Sequence, residues 1–387
     1  TKDTLYSRTE TLSKWVSRGE HLAVATEETS LLGNTSDQVF VDRAQLGNVI
    51  AYVWTEVAAG STKCYLAAID ATTKATVLAT TELDPGATAS RPRVIAGDTV
   101  IFVLWVRTGA GLLCATLTPS SPTWSSPTTA VMSANENEYD AVKYPATDKV
   151  VTVTRNNAGT SYTVSKAGPD LIPTTSTKVR AATDRVALSC SPAGSDRVQI
   201  VRQDVTNLVG DLLALSTLAD VFTGQAIGAF PGEQIAQLTC AHRSVTTGGH
   251  YRCYVYWSVE AELGDQTGSV RYNYVDTNNS IGSAAFLVYR HGLASRAFDH
   301  NGQVYVWTVF AQVNQSLATV IGFQVPVQNT AYLHREDGTF HAKAAWTRAG
   351  GFGHYTGHLA GVALVCGSTA YAWATSGGGL TNLGGYS

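Results

Sequence analysis

Apolar positions along the chain recur in short runs that are typical of β-strands. One element appears seven times, a stretch of apolar and β-branched residues that closes on Trp or Arg, as in Val100–Trp105. Its copies are the segments 49–54, 100–105, 150–155, 197–202, 251–257, 303–307 and 368–373. The closing residues are 51, 50, 47, 55, 50 and 66 positions apart. Runs of this length and composition predict strands, and their even spacing predicts an internal repeat.

The surroundings of each copy repeat as well. A short strand and a turn precede it, and the turns carry Gly, Asn or Asp, as in 44–48 and 299–302. These residues tolerate the positive φ of tight hairpins. A third strand follows, as in 63–69, and several copies add a fourth, as in 75–80. Four short antiparallel strands in about 50 residues match one blade of a β-propeller.

A four-stranded blade has two apolar faces, and it buries both only when neighbouring blades stack on it around an axis. We therefore predict an all-β fold, a β-propeller of six or seven four-stranded blades. The element that closes on Trp should be a strand buried on both faces, with the indole filling the gap between blades. Two β-sandwiches would also show many short strands, but they have no reason to keep an even step over six intervals.

The ends of the repeat suggest a division of the chain. We expect residues 1–37 to form an N-terminal segment that completes the last blade, with 20–26 as the added strand, and residues 38–387 to form the propeller. Residues 8–17 follow a capping-box pattern and could form a short helix. The long last step predicts an insertion around 325–358, rich in Gly and His. The stretch 208–221 fits either a short helix or an outer strand.

Composition excludes several classes of function. Charged residues make up 15% of the 387 positions, against about 25% in an average soluble protein. The net charge is −3, so sequence-specific or general nucleic-acid binding is not expected. No run of about 18 apolar residues occurs, so we expect no membrane insertion. Hydrophobic residues reach 44%, which excludes a disordered chain.

The cysteines do not form a metal-binding or redox motif. None of the six belongs to a C-x-x-C pair, and we interpret them as buried thiols of a protein made in a reducing compartment. Cys240 and Cys253 would face each other across a hairpin and are the one pair to test for a disulfide.

Motifs for nucleotide binding, zincin chemistry and α/β-hydrolase catalysis are absent. Two polar clusters remain, one of histidines and one of acids, and we interpret them as loop and turn residues. The glycine-rich segment 351–357 does not favour the helix that a histidine ligand pair would need. We expect no metal, no cofactor and no catalytic residue. The clusters are His334, His341, His354 and His358, and Glu136, Glu138 and Asp140.

A basic residue recurs 11 to 14 positions before the end of the repeated element, where a propeller places its innermost strand. Converging guanidinium groups could clamp a carboxylate, as in sialidases, or ring a central channel. The alternative is charge pairing between blades, for instance with Asp42 or Asp140. The candidate binding residues are Arg43, Arg93, Lys143, Arg243 and Arg296.

The segments 90–105 and 295–307, with blades rich in Ala, Thr, Ser and Gly, resemble the propeller portion of tail-tube or nozzle proteins of short-tailed bacteriophages. The resemblance covers about residues 38–375. It implies a non-enzymatic structural protein of the virion tail, made in the host cytoplasm and assembled with other tail proteins and with copies of itself. A weaker resemblance links the chain to sialidase-like propellers.

Two other functions stay open. A carbohydrate-binding or receptor-binding propeller would contact a host-surface glycan and would expose aromatic residues such as Trp124 or Tyr355 on one face. A propeller glycoside hydrolase would bring Arg93, Arg296 and a carboxylate together, and it needs two carboxylates at a defined separation. The Asp-box of sialidases has only a poor counterpart in 335–340, which lacks its Ser and Trp.

Overall fold

The structure is a computed structural model. It describes residues 4–5, 38–58, 61–73, 75–121, 123–124, 128–129, 138–155, 160–180, 188–204, 207–229, 234–244, 250–260, 269–288, 292–300, 303–312, 327–336, 340–348, 362–366, 369–376 and 379–386.

The described strands form seven antiparallel sheets in chain order. A two-residue strand, β1 (Thr4–Leu5), comes before these sheets in the chain. Sheet 1 holds β2 (Gln38–Leu46), β3 (Val49–Ala58), β4 (Ser61–Asp70) and β5 (Thr76–Glu82). Sheet 2 holds β6 (Ala89–Ala96), β7 (Ile101–Arg107), β8 (Gly111–Thr118), β9 (Thr123–Trp124) and β10 (Thr128–Thr129). Sheet 3 holds β11 (Glu138–Tyr144), β12 (Lys149–Arg155), β13 (Ser161–Ala167) and β14 (Pro173–Val179).

Sheets 4 to 7 continue the same order. Sheet 4 holds β15 (Leu188–Pro192), β16 (Arg197–Asp204), β17 (Asn207–Ala214) and β18 (Asp220–Ala229). Sheet 5 holds β19 (Gln234–Ser244), β20 (Tyr251–Glu260), β21 (Ser269–Asp276) and β22 (Ala285–Val288). Sheet 6 holds β23 (Gly292–His300), β24 (Gln303–Gln312), β25 (Val327–Arg335) and β26 (Phe340–Arg348). Sheet 7 holds β27 (Val362–Cys366), β28 (Thr369–Ser376) and β29 (Gly379–Tyr386).

The first strands of the sheets lie next to one another around a common axis. Each contacts the first strand of the following sheet, and β27 of sheet 7 contacts both β23 and β2. The predicted all-β propeller is therefore confirmed, with the first strand of each sheet innermost. Every copy of the repeated element forms the second strand of its sheet. In the described part of the chain, no helix has the length and hydropathy needed to cross a bilayer.

Packing between sheets explains why the second strands are apolar on both faces. On β7, Ile101, Val103 and Trp105 pack against sheet 1, while Phe102 and Leu104 pack against sheet 3. The Trp105 indole is fully buried. Trp257 occupies the same kind of position on β20, where it packs against residues of sheet 4. The expected role of Trp as a filler between neighbouring sheets therefore holds for both residues.

Two observations bear on the expected division of the chain. Thr4 and Leu5 pair with β26 at the edge of sheet 6, and the rest of the N-terminal segment lies outside the described residues. Within the predicted insertion around 325–358, residues 327–335 and 340–348 are the third and fourth strands of sheet 6. The pairing of β25 with β24 and of β26 with β25 fixes that assignment. The predicted helix over 8–17 and the predicted strand over 20–26 lie outside the described residues.

Two local ambiguities are settled by register. The stretch 208–221 is not a helix but holds most of β17, a turn at 215–219 and the start of β18, and β17 pairs with both β16 and β18. In the hairpin of sheet 5, Cys240 lies opposite Val255, and Cys253 lies opposite His242. The two cysteines are therefore not directly cross-strand neighbours, and both are buried thiols, as are Cys64 and Cys114. Burial raises the pKa of the Cys64 and Cys114 thiols to about 12.

Candidate functional site

All five basic residues singled out by the sequence lie on innermost strands, but at two heights. Counted from the hairpin turn, Arg43, Arg93 and Arg296 belong to the fourth or fifth cross-strand pair of their hairpins. Lys143 and Arg243 belong to the second pair, close to the turn. The five residues therefore do not form a single ring around the axis.

Arg93 joins three sheets through two carboxylates. Its Nε lies 3.0 Å from Asp42 Oδ2 on β2, and its Nη1 lies 2.5 Å from Asp140 Oδ1 on β11. The backbone N–H of Val94 also donates to Asp42 Oδ2, at 3.2 Å. Burial alone would lower the pKa of Arg93, but the charges of Asp140 and Asp42 raise it above its ordinary value. We call Asp42, Arg93 and Asp140 the axial triad.

Burial of its two acids makes the axial triad a structural device rather than an open binding site, while the Arg93 side chain is 25% exposed. Asp42 is 2% exposed and Asp140 is 8% exposed. Two carboxylates already occupy the guanidinium from two sides, so the fork is not free to take a substrate carboxylate in the bidentate manner. Removing one partner of such a buried pair leaves a charge without compensation, which costs about 3–5 kcal/mol. Because Asp140 is buried and pairs with Arg93, our interpretation of it as part of a solvated turn is wrong.

Three of the other basic residues also have partners of opposite charge or aromatic character. The guanidinium carbon of Arg43 lies 5.8 Å from the centroid of the Tyr52 ring, and Arg43 is buried. Lys143 forms an ion pair with Asp98 of sheet 2. Arg243 Nη2 lies 2.7 Å from Glu336 Oε1 of sheet 6. For Arg296 the structure describes the backbone position alone, opposite Trp307.

Sequence reasoning missed a second set of carboxylates that tie sheets together. Asp84 accepts a hydrogen bond from Trp105 Nε1 at 3.0 Å and two from Arg107 at 2.5 Å each. Asp211 is fully buried and accepts from Arg202 Nε and Tyr162 OH, each at 2.9 Å. Burial would raise the pKa of Asp211, but these hydrogen bonds and the Arg202 charge hold it below its ordinary value.

Chain separation is the signal that could have found several of these ties. Arg93 lies 51 positions after Asp42 and 47 before Asp140, and Tyr162 lies 49 before Asp211. These separations match the step of the repeat, because a residue on one sheet meets the corresponding height of the next. Polar and charged residues one repeat apart are therefore candidates for contact between neighbouring sheets.

One polar cluster is partly open to solvent, near the hairpin turns of sheet 5. Arg252 Nε lies 2.7 Å from Asp276 Oδ1, and its guanidinium carbon lies 3.8 Å from the centroid of the Tyr274 ring. His250 Nε2 lies 3.1 Å from Asp276 Oδ2. Hydrogen bonding to Asp276 is the main reason why the pKa of Arg252 lies above its ordinary value. We call His250, Arg252, Tyr274 and Asp276 the sheet 5 cluster.

The remaining sequence candidates do not assemble into a described site. His334 and His341 lie on β25 and β26, while His354 and His358 lie outside the described residues. Of Trp124 the structure describes only the backbone, in β9, and Tyr355 lies outside its range. Among the residues that are described, no group of three or more His, Cys, Asp or Glu side chains is placed to hold a metal ion.

Comparison with known proteins supports the fold alone. No protein-family model matches the chain, and no curated protein sequence is similar to it. Among solved structures, the chain is similar to the polysaccharide lyase Uly1, with 8% identity, 94% of this chain and 99% of that chain covered, and a TM-score of 0.55. It is also similar to the SapL1 lectin in complex with alpha methyl fucoside, with 11% identity, 79% and 97% coverage, and a TM-score of 0.45. The β-propeller domain of the Trilobed protease from Pyrococcus furiosus gives 12% identity, 90% and 95% coverage, and a TM-score of 0.46.

Proposed function

We propose that this chain is a non-enzymatic propeller scaffold that assembles with other proteins in the tail of a short-tailed bacteriophage virion. The observation that carries the scaffold role is the use of charge on the innermost strands. Arg93, Lys143 and Arg243 each bind a carboxylate of a neighbouring sheet. Three of the five side chains considered for binding a ligand on the axis are thus used to hold neighbouring sheets together.

The axial triad argues against the glycosidase hypothesis in particular. That hypothesis requires Arg93 to receive a substrate carboxylate beside a catalytic acid. A substrate anion would have to displace Asp42 or Asp140, and the displaced carboxylate would stay buried without its counter-charge. The same burial keeps both acids out of reach of a sugar in solvent. The geometry therefore favours a structural use of all three residues.

The outer surface also suits a protein with many neighbours. The outer strand β14 carries one charged residue among seven, and most of its positions are exposed. Low charge is typical of the cores of protein interfaces. Placement in a virion tail rests on the resemblance of the segments 90–105 and 295–307 to tail-tube and nozzle proteins.

Native mass spectrometry together with electron microscopy of the purified chain tests this proposal. We expect assemblies larger than the 41.0 kDa single chain, and particles of uniform shape in micrographs. A single chain with no particles at high micromolar concentration would contradict the scaffold role. Turnover of a panel of sialosides or uronic-acid polysaccharides would contradict the non-enzymatic part of the proposal.

A second candidate function, glycan binding, is favoured by the sheet 5 cluster. The Arg252 guanidinium stacks on the Tyr274 ring, 3.8 Å from its centroid, and its side chain is 24% exposed, so the pair presents a planar polar surface on which a sugar could stack. A glycan array probed with wild type, Tyr274→Leu and the matched control Tyr65→Leu tests this candidate. We expect a signal that falls at least tenfold in Tyr274→Leu and persists in Tyr65→Leu. Absence of any bound glycan for the wild type would rule the candidate out.

A further inference from the structure

We propose that the outer edge of sheet 3 is a self-association surface, on which β14 pairs antiparallel with β14 of a second copy of this chain. The inference deepens the proposed scaffold function and rests on it for its biological setting. A two-fold contact of this kind joins two copies and then closes, so a larger assembly needs further contacts.

The other outer strands in the described part of the chain are covered, short or irregular. β26 is covered by β1, and the outer edge of sheet 2 consists of two strands of two residues each. The pairing of β5, β18, β22 and β29 with their sheets is broken by register shifts. In contrast, β14 pairs with β13 over seven consecutive residues without a shift. Natural proteins blunt exposed edges by such irregularities, so an unbroken edge marks a site for pairing.

Hydrogen bonding to β13 determines which backbone groups of β14 point outward. The Arg180 N–H donates to the Thr160 carbonyl at 2.9 Å, one pair beyond the end of β14. Antiparallel pairs alternate between bonded and non-bonded positions. The even-numbered residues of β14 therefore bond to β13, and the backbone groups of Thr175, Thr177 and Val179 point away from the sheet.

This edge is complementary to itself. With Ser176 on the two-fold axis, Thr175 of one copy faces Thr177 of the other, and their outward N–H and C=O groups exchange hydrogen bonds. Pro173 then faces Val179 of the second copy. Proline cannot donate, but the Val179 carbonyl already accepts a hydrogen bond from Arg180 Nη1 at 3.0 Å. The Val179 carbonyl therefore keeps a hydrogen-bond partner, although Pro173 of the second copy cannot donate to it.

Charge does not oppose the pairing. Lysine often guards an exposed edge, but Lys178 points to Asp220, with Nζ 3.4 Å from Oδ1 and the side chain 12% exposed. In the proposed register Lys178 faces Thr174 of the second copy, so no like charges are opposed. Arg180 also binds Asp220, at 3.1 Å.

Exposed apolar side chains mark the same edge. Val179 is 77% exposed and Ile172, which precedes β14, is 70% exposed. These are the two most exposed large hydrophobic residues in the described part of the chain. Pairing of Val179 with Pro173 of the second copy would cover apolar surface at both ends of the contact. The structure thus offers hydrogen bonds at the centre and apolar contacts at the ends.

Disulfide trapping tests the register directly. Two Ser176 residues on the axis form a non-bonded pair with Cα atoms about 4.5 Å apart, within the range of about 4.4–6.8 Å for a disulfide. In the matched control Thr174→Cys, the two introduced cysteines lie about 13 Å apart along the strands. We expect mild oxidation to give a covalent dimer of Ser176→Cys at a yield at least fivefold above that of Thr174→Cys. Equal yields, or no dimer of Ser176→Cys, would overturn the proposal.

Sedimentation equilibrium gives the second test. Thr177→Pro removes an outward N–H, whereas Thr177→Ala removes the same side chain and keeps the N–H. We expect Thr177→Pro to weaken dimerisation at least tenfold relative to Thr177→Ala. Similar constants for folded variants would overturn the proposal, and if Thr177→Pro does not fold, the cysteine pair decides. If larger assemblies form but Ser176→Cys is not trapped, the β14 contact is overturned and the scaffold function stands. If the dimer is trapped but the chain turns over polysaccharide, the non-enzymatic scaffold function is overturned and the β14 contact stands.

Discussion

The innermost strand β6 and the outermost strand β14 share some residue types and have opposite surroundings. Each is short, contains one proline, and carries basic and hydroxyl side chains. On β6 the charge of Arg93 is enclosed by Asp42 and Asp140, and it connects three sheets. On β14 most side chains are exposed, and the one lysine binds Asp220 nearby. Position within the sheet and the apolar residues of β6 together place Arg93 at a junction of three sheets, whereas most of β14 faces the surface.

The largest effect should come from breaking the axial triad. Arg93→Ala leaves Asp42 and Asp140 buried without their shared counter-charge, and we expect a loss of about 3–5 kcal/mol in the free energy of unfolding. Urea denaturation followed by tryptophan fluorescence measures it. Lys143→Ala is the control, because the Lys143–Asp98 pair is much more exposed and should contribute about 0–1 kcal/mol. Equal losses would show that burial does not separate the two pairs.

A smaller effect should distinguish an inner hairpin turn from an outer one. At Gly97, between β6 and β7, an added Cβ would lie 2.8 Å from the Val100 carbonyl oxygen and would overlap Asp148. At Gly168, between β13 and β14, it would lie 3.1 Å from the flexible carboxylate of Asp170. We expect Gly97→Ala to cost about 1–3 kcal/mol and Gly168→Ala less. Thermal unfolding of both variants checks the order, and a reversed order would contradict the difference in packing.

Acid should destabilise an inner strand through His242. This residue of β19 is buried, and neither ring nitrogen has a hydrogen-bond partner among the described residues. Burial lowers its pKa from the ordinary 6.5 to about 3, so the unfolded chain takes up the proton first. Stability is present above pH 6.5 and falls as the pH drops toward 3, by about 1.5 kcal/mol between pH 6.5 and 5.

The control for this pH effect is His242→Gln, which does not titrate in that range. We expect its stability to change less than that of the wild type between pH 6.5 and 5, as measured by denaturation at several pH values. The lowered pKa of Asp211 acts at lower pH, since carboxylate contributions are lost only as the pH falls through that pKa. Parallel pH curves for wild type and variant would exclude His242 as the cause.

The smallest effect is expected on the outer strand. Thr175→Ala changes an exposed side chain of β14 and keeps its backbone groups, so we expect a change within about 0.5 kcal/mol. Denaturation at low protein concentration, where the single chain dominates, checks this value. A loss comparable to that of Arg93→Ala would show that the outer strand supports the fold as much as the inner one does.

The fold was predictable because the apolar second strand of every sheet is a contiguous run in the sequence, and these runs recur at an even step. Charge pairing with Asp42 or Asp140 was one alternative that the sequence allowed, but no local pattern decided between it and ligand binding, because both acids lie on other sheets than Arg93. The strand register could not be predicted from the hydrophobic pattern either, because the offset of Cys240 from Cys253 depends on the length of the hairpin connection. The step of the repeat reveals charge partners only once the stacking of the sheets is known.

A double-mutant cycle between Arg93 and Asp140 tests the central claim most directly. Unfolding free energies of the wild type, Arg93→Ala, Asp140→Ala and the double variant give the coupling energy between the two side chains. If innermost charges hold the sheets together, the coupling energy should reach about 2 kcal/mol or more. Losses that add within about 0.5 kcal/mol would show that Arg93 and Asp140 act independently, and would contradict the account.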